Sequence, residues 1–357
     1  MALPRFFVRH FTLGGRGRFA LPLNTRPIAE DFQKGRSTWP WGSYSVVGDR
    51  VPVAPIGLSC DRILHCVSES DEVSVVSVTA TSVVREAQRR FSTSRAATVI
   101  LGQTLMATLL LHAIEAAAEN IKITIAGSGG PLGGITAIGS NTGLVKGYVD
   151  FPRSDFPCLP NGLLDARGTL GERGNLTVTL HNSSWKRLKV RPVQLSRGNI
   201  SKGVETYLAE ARKLHSFASF GVFLDKQGTI TCARGYVYQA LPSVSKMTLD
   251  RMAKNTRDLP KWNINADEIC ELLFQGIGRG ETIRTINPRF GPCGLEMKQR
   301  ILENEISSKG FWQIRQALKS KGYIEAFCDA CGEEYRFTED ELGELIGKSI
   351  SDSEEEE

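Results

Sequence analysis

The longest apolar run of the chain, Val99 to Ala113, is interrupted by Gln103 and His112, and Ser92 and Ser94 stand just ahead of it. A serine N-cap followed by Ala- and Leu-rich sequence from Ala96 to Ala118 predicts a long helix. It is short of the ~20 uninterrupted apolar residues of a membrane span and reads as a core helix. Before it, Val73, Val75, Val76 and Val78 predict strand. After it, Ile121, Ile123 and Ile125 alternate with polar residues, as a half-buried strand does. The glycine-rich stretch Gly127–Gly134 is then a turn, and Ile135–Ile138 and Leu144–Val149 are strands joined at Asn141-Thr142-Gly143. Leu176, Val178 and Leu180 predict another strand, with Val190–Leu195 as its partner, and a helix follows around Val204–Phe217. Residues 221–224 and 229–238 flank the turn Asp225–Gly228 as a hairpin.

These elements give an α+β fold. Residues 1–55 are read as leader and linker, 56–242 as an α+β core domain and 243–287 as a helical linker containing Met247–Ala253 and Ala266–Phe274. Residues 288–345 form a small terminal cysteine module, and 346–357 an acidic tail.

Charge changes the picture only at the start. Residues 1–50 carry eight basic and three acidic residues, a surplus that equals the +5 of the whole 357-residue chain, so the remainder is neutral. That argues against a nucleic-acid surface. The basic run around Trp185, Lys186, Arg187, Lys189 and Arg191 is read as the solvated face of a strand. Five arginines and no acid precede Glu30. This Arg-rich, acid-poor leader predicts organelle import, mitochondrial first, with plastid or cytoplasm as alternatives.

Eight cysteines in a long chain do not make a disulfide scaffold. Five of them, including Cys60, Cys66 and Cys270, stand singly among apolar residues and read as small buried hydrophobes. The strongest local signal is Cys328-Asp329-Ala330-Cys331-Gly332, followed by Tyr335 and Phe337. A tight turn closed by glycine presents both sulfurs to one point, which suits a metal or a reversible disulfide. Cys293 lies upstream, before helices through Glu296–Leu302 and Phe311–Lys319. Residues 288–345 hold three cysteines and no histidine, one ligand fewer than a closed structural zinc site takes, so a metal-free module stays open too. Thr338-Glu339-Asp340-Glu341 reads as a capping box. His65, His112, His181 and His215 lie apart, with no nucleophile context, so no enzyme is expected. A thiol–disulfide oxidoreductase using Cys328 and Cys331, or a zinc-knuckle RNA-binding protein, are the rival readings.

Several segments, in order, resemble the thirty-three-kilodalton heat-shock family of redox-regulated chaperones, from about Ser59 to Leu345. They are Asp61-Arg62, Ser94–Thr98, Leu101-Gly102, Gly129–Gly133, Val145–Val149, Gly235–Pro242 and the terminal Cys328–Gly332 with Tyr335–Phe337. The resemblance implies a client-binding α+β domain, a helical linker and a zinc-holding terminal domain. It implies that a Cys-x-Cys and a Cys-x-x-Cys pair bind zinc when reduced, and that two disulfides form, zinc leaves and the linker unfolds on oxidation. The redox residues would be Cys328 and Cys331, the zinc ligands Cys293, Cys328 and Cys331. The partners would be unfolded client proteins, with homodimerisation on activation, and neither membrane nor nucleic acid. The chain departs at one place: Gly291 stands where the first cysteine belongs, leaving the fourth ligand absent and Glu296 a weak substitute.

Overall fold

The computed structural model describes residues 61–115, 117–156, 165–260, 264–293 and 295–343, all within one compact unit; Cys60, Cys158 and the leader and tail segments lie outside them. A five-stranded sheet has the order β10-β1-β2-β9-β8 and a six-stranded sheet the order β11-β5-β4-β3-β6-β7. In chain order these strands are β1 (Arg62–Ser68), β2 (Val73–Thr79), β3 (Asn120–Gly127), β4 (Gly134–Ser140), β5 (Leu144–Val149), β6 (Arg173–His181) and β7 (Arg187–Ser196). They continue with β8 (Ser216–Leu224), β9 (Ile230–Ala240), β10 (Gly280–Ile286) and β11 (Arg289–Phe290). Helix α1 spans Thr81–Phe91, α2 Arg95–Ile114, α3 Ala166–Leu170 and α4 Ile200–Arg212. The fold class is α+β, as the hydrophobic pattern indicates.

Helix α2 is the axis of the core. All of its residues after Arg95 are buried, and it packs on strands of both sheets. Its length and hydropathy would suit a membrane span, but the span is 94% buried inside the protein. Polar side chains there find backbone partners, although Gln103 Oε1 is left without one. Thr104 and Thr108 donate to the carbonyls of Ile100 and Thr104, and Gln103 donates to Phe220 O. Ser94 caps the helix by accepting from Ala97 N at 3.1 Å. Mid-helix Gly102 lets it close on its neighbours: a Cβ there would stand 2.8 Å from Val84 and 2.9 Å from Val222.

Strand alternation explains why the five-stranded sheet is buried on both faces. Val76 and Val78 of β2 join the main core, while Val73 and Val75 point the other way. There they meet Leu64, Cys66, Phe223, Tyr236 and Tyr238 in a second apolar layer. That layer is covered by α5 (Lys246–Asp258) and α6 (Ala266–Phe274), through Met252, Ile269, Leu273 and Phe274. The segment read as a helical linker thus holds two helices and then a strand: β10 pairs antiparallel with β1, Ile286 opposite Ile63. A strand with four of its seven residues exposed and none buried carries no clear periodic signal, hence its absence from the sequence reading.

Helix α1 is the other element that the hydrophobic pattern does not announce. Its N-cap residue, Ala80, supplies no side-chain hydrogen bond. Asp61 does so from outside the helix, accepting from Ser82 N at 3.1 Å and Val83 N at 2.8 Å. A cap twenty residues away in sequence is invisible to local rules. Loss of such a cap typically removes ~1–2 kcal/mol. Asp61→Ala is expected to lower the urea midpoint by that much stability, and Asp61→Asn, which keeps one acceptor, by less; equilibrium urea unfolding measures both.

Candidate metal and redox centre

The terminal module is built of α7 (Leu295–Lys309), α8 (Phe311–Lys321) and the hairpin β12 (Tyr323–Cys328) and β13 (Glu333–Thr338). Ile301, Leu302, Ile314, Ile324, Ala326 and Phe337 form its apolar core. The hairpin pairs Tyr323 with Thr338 and Cys328 with Glu333. Its turn is closed by Gly332, whose N donates to Cys328 O at 2.8 Å and whose φ is +68°. A left-handed residue is needed there, and glycine adopts it without a steric penalty. At the far end Thr338 and Glu341 exchange the reciprocal bonds of a capping box.

Cys293 reaches this turn by a different path. After β10 the chain leaves the five-stranded sheet, and β11 lies parallel beside β5, Phe290 opposite Val145. Gly291 N then donates to Val145 O at 2.9 Å, which delivers Cys293 to the hairpin. Its Sγ lies 3.4 Å from Cys328 Sγ and 3.5 Å from Cys331 Sγ. All three are buried, with sulfurs within 4.8 Å of one another. Lys146 of β5, itself buried, donates from Nζ to Cys293 Sγ at 2.9 Å. Hydrogen bonds from the Cys328 and Cys331 thiols, aided by Lys146, pull the Cys293 thiol far below its ordinary range. The Cys328 thiol is pushed up, first by its bond to Cys293. Lys146 and the two neighbouring thiols thus favour the thiolate form of Cys293.

Tyr335 closes the underside. Its hydroxyl accepts from Cys293 N at 2.7 Å, contacts Cys331 Sγ at 3.2 Å and donates to Glu333 Oε2 at 3.2 Å. Glu333 in turn pairs at 2.6 Å with Arg90, at the end of α1. Arg90 also donates to Cys331 O, pairs with Glu86 and lies over the Phe290 ring at 5.4 Å. Phe91 meets Phe290 edge-on at 6.3 Å. One guanidinium thus ties the cysteine turn to α1 of the core.

The donor set can be tested against a metal ion. Thiolates around a tetrahedral ion with ~2.3 Å metal–sulfur bonds stand ~3.8 Å apart. The observed separations of 3.4 and 3.5 Å need only a small expansion. Three sulfurs fit such an ion, and the fourth position has no thiolate. A Cβ on Gly291 would stand 3.4 Å from Cys331 Cβ and 3.1 Å from Arg90 Nη1, so that position borders the cluster. The side chain of Glu296 lies outside the described residues.

The structure thus brings together Cys293, Cys328 and Cys331, three residues contributed by two separate stretches of sequence. The sequence reading assigned no role to Lys146, Arg90 or Glu333. A lysine between Val145 and Gly147 on a strand buried at all three positions was the available signal for the first. The arginine's role depends on a tertiary contact and leaves none.

A family model described as "Hsp33 protein" matches residues 61–338. The chain belongs to the Hsp33 family. Among its curated relatives is the 33 kDa chaperonin of Bacillus licheniformis, 28% identical over 296 residues, which span 80% of this chain and 98% of that protein. The 33 kDa chaperonin of Bacillus subtilis is 27% identical and matched over 97% of its length. The crystal structure of the 33 kDa chaperonin (Hsp33 homolog) of Thermotoga maritima superposes with a TM-score of 0.66 at 25% identity, covering 82% of this chain and 99% of that one. The family expected from the motifs is therefore the right one. The expected organelle address is not: these Hsp33 relatives are bacterial proteins, nothing in the comparisons supports import into a mitochondrion, and that reading is withdrawn. Arginine-rich composition alone was its basis, and a basic segment outside the match from residue 61 carries no address by itself.

Because Arg90 makes the polar bridge between turn and helix, Arg90→Met is expected to strand Glu333 and release the hairpin, a penalty of ~2–4 kcal/mol for a truncated, partly buried pair. Limited proteolysis should cut within 293–343 at least ~10-fold faster than in the parent, while cutting in 61–240 stays unchanged. Arg90→Lys should restore little, since one ammonium cannot serve Glu86, Glu333 and Cys331 O together.

Proposed function

We propose that this Hsp33-family protein is a redox-regulated holdase, which binds unfolded proteins when its terminal cysteines are oxidised and is quiet when they are reduced. The observation that carries this reading is the buried convergence of Cys293, Cys328 and Cys331 at one point docked on the core. Cys293, Cys328 and Cys331 would hold a zinc ion, which when bound would supply the folding free energy that a small module lacks.

The residues then divide the work. Lys146 and the two thiol donors keep Cys293 ionised, and Tyr335 orients its backbone. Cys328 and Cys331, at the end of one strand and in the turn to the next, are the pair that oxidises. A hydroperoxide takes two electrons from them, a sulfur–sulfur bond forms, and the two thiol protons leave in two molecules of water when the oxidant is hydrogen peroxide. Two of three sulfurs are then no longer donors. The module loosens, Arg90 loses its partners on the turn, and the strain reaches β11, β10 and the α5–α6 cover. Uncovered, the sheet presents Val73, Val75, Phe223, Tyr236 and Tyr238, an apolar surface suited to unfolded chains. Homodimerisation would extend the same surface.

Neither rival reading gains from the geometry. Low-pKa cysteines of oxidoreductases sit at a helix N-terminus, whereas Cys328 ends a strand and Cys331 lies in a hairpin turn. The basic stretch of β7 is the exposed face of an edge strand.

The test is suppression of aggregation of a chemically unfolded client. The parent is expected to act after peroxide and lose the activity on reduction by dithiothreitol. Cys328→Ser should respond to neither treatment; equal peroxide activation of parent and variant contradicts the assigned pair. A second outcome concerns the missing ligand. Gly291→Cys is expected to raise zinc affinity by at least ~10-fold, the lower range seen when metal-site partners are altered, and to make activation more dependent on peroxide. Competition with a chromogenic chelator reads the affinity.

A further inference from the structure

Cys66 of β1 and Cys270 of α6 lie 204 positions apart in sequence and face each other across the layer between the cover and the five-stranded sheet. Both belong to the same buried apolar layer and both line one cavity. Each has a polar neighbour: Cys66 Sγ lies 3.4 Å from Thr282 Oγ1, and Cys270 Sγ lies 3.2 Å from Ser77 Oγ. Both line a surface cavity of about 420 Å³, whose rim residues Asp267, Glu271, Arg279 and Thr282 are exposed. A small oxidant therefore has a path to a dithiol that is otherwise buried. Nothing about this pair depends on the terminal cluster, which is built from other elements.

We propose that Cys66 and Cys270 form a second redox site, and that its oxidation to a disulfide fastens α6 to β1. The two sulfurs are unequal. The neighbouring Cys270 thiol brings the Cys66 thiol down to about 7, while the nearness of Cys66 and burial push Cys270 up. Cys66 is therefore the attacking sulfur and Cys270 the resolving one. The Cys66 thiolate attacks one oxygen of a hydroperoxide; the O–O bond breaks, and the departing hydroxide takes a proton and leaves as water. The resulting sulfenic acid is displaced by Cys270 sulfur, the S–O bond breaks, and the hydroxyl leaves as water with the Cys270 proton. Two thiols and one hydrogen peroxide give one disulfide and two waters. Closing the pair to the ~2.05 Å bond takes an approach of α6 toward β1, and α6 is a surface helix that can supply it.

The consequence rests on the holdase reading above. Oxidation at Cys328 and Cys331 frees the cover, whereas oxidation at Cys66 and Cys270 pins it. The second site then limits activation when oxidant is abundant, since a covalent link holds α6 over Tyr238 and Val75 after the terminal module has loosened.

The full chain is treated with hydrogen peroxide, remaining thiols are alkylated with iodoacetamide, and digested peptides are read by mass spectrometry. The expected species joins the peptides of Cys66 and Cys270, is 2 Da lighter than their sum and disappears on reduction. Recovery of both cysteines alkylated, or of Cys66 joined to Cys60, overturns the site. Backbone hydrogen exchange in 266–274 should slow at least ~10-fold in the oxidised parent and not in Cys66→Ser or Cys270→Ser. If the disulfide forms and exchange does not slow, the fastening is wrong. In the client assay, peroxide-treated Cys66→Ser should suppress aggregation ~2-fold or more beyond the parent; equal activity overturns the limiting role. The mass and exchange measurements need no client, so a failure of the holdase reading leaves them decisive for the dithiol.

Discussion

Three buried sulfurs, two of them within 3.5 Å of the third, impose the constraint on which the terminal module of this protein depends. One thiolate among them is affordable because Lys146 stands 2.9 Å away and two thiols donate to it. Further ionisation would bury uncompensated negative charge, which is costly without a cation. The proposed switch therefore has two resolutions: a divalent ion that, with Lys146, would balance three thiolates, or an oxidant that would remove two of the sulfurs as a disulfide. A redox switch needs two alternatives of this kind, and the cluster supplies both from the same atoms.

The location of the cluster gives it leverage. Its residues come from the hairpin turn and from the chain just after β11, which bridges the two sheets. Lys146 belongs to the six-stranded sheet and Arg90 to α1, which packs on α2, so the cysteines touch both layers through charged side chains rather than through a large apolar interface. Charge contacts of this sort are specific and can be lost in one step, whereas α2, buried on all sides, remains as the fixed frame. The cover formed by α5 and α6 is intermediate: an apolar layer, but one held at its ends by directed bonds such as Tyr238 Oη to Leu273 O and Arg62 to Asp267.

Much of this was legible in the chain. The run from Val99 to Ala113 announced the core helix, the alternation in 121–125 and 176–180 announced neighbouring strands, and Cys328-x-x-Cys331-Gly332 announced a turn that points two sulfurs one way. These are local patterns, each fixed by the period of a helix or strand or by one glycine. What escaped was non-local. Helix α1 takes its cap from Asp61, β10 is an exposed edge strand without alternation, and Lys146 is a cation whose reason for burial is a cysteine 147 positions away. Cys66 and Cys270, each indistinguishable in sequence from a buried apolar residue, acquire meaning only when β1 and α6 are brought together. Gly291 shows the opposite case, since a missing side chain was legible from the motif while its nearness to Cys331 and Arg90 was not.

The proposed switch turns on a metal held by three sulfurs, with no fourth thiolate beside them among the described residues. X-ray absorption at the zinc edge, on the reduced full chain loaded with one equivalent of zinc, measures that directly. Three sulfur neighbours at ~2.3 Å and one lighter oxygen or nitrogen neighbour at ~2.0 Å are the predicted shell. A shell of four sulfurs, or one of light atoms alone, would contradict it.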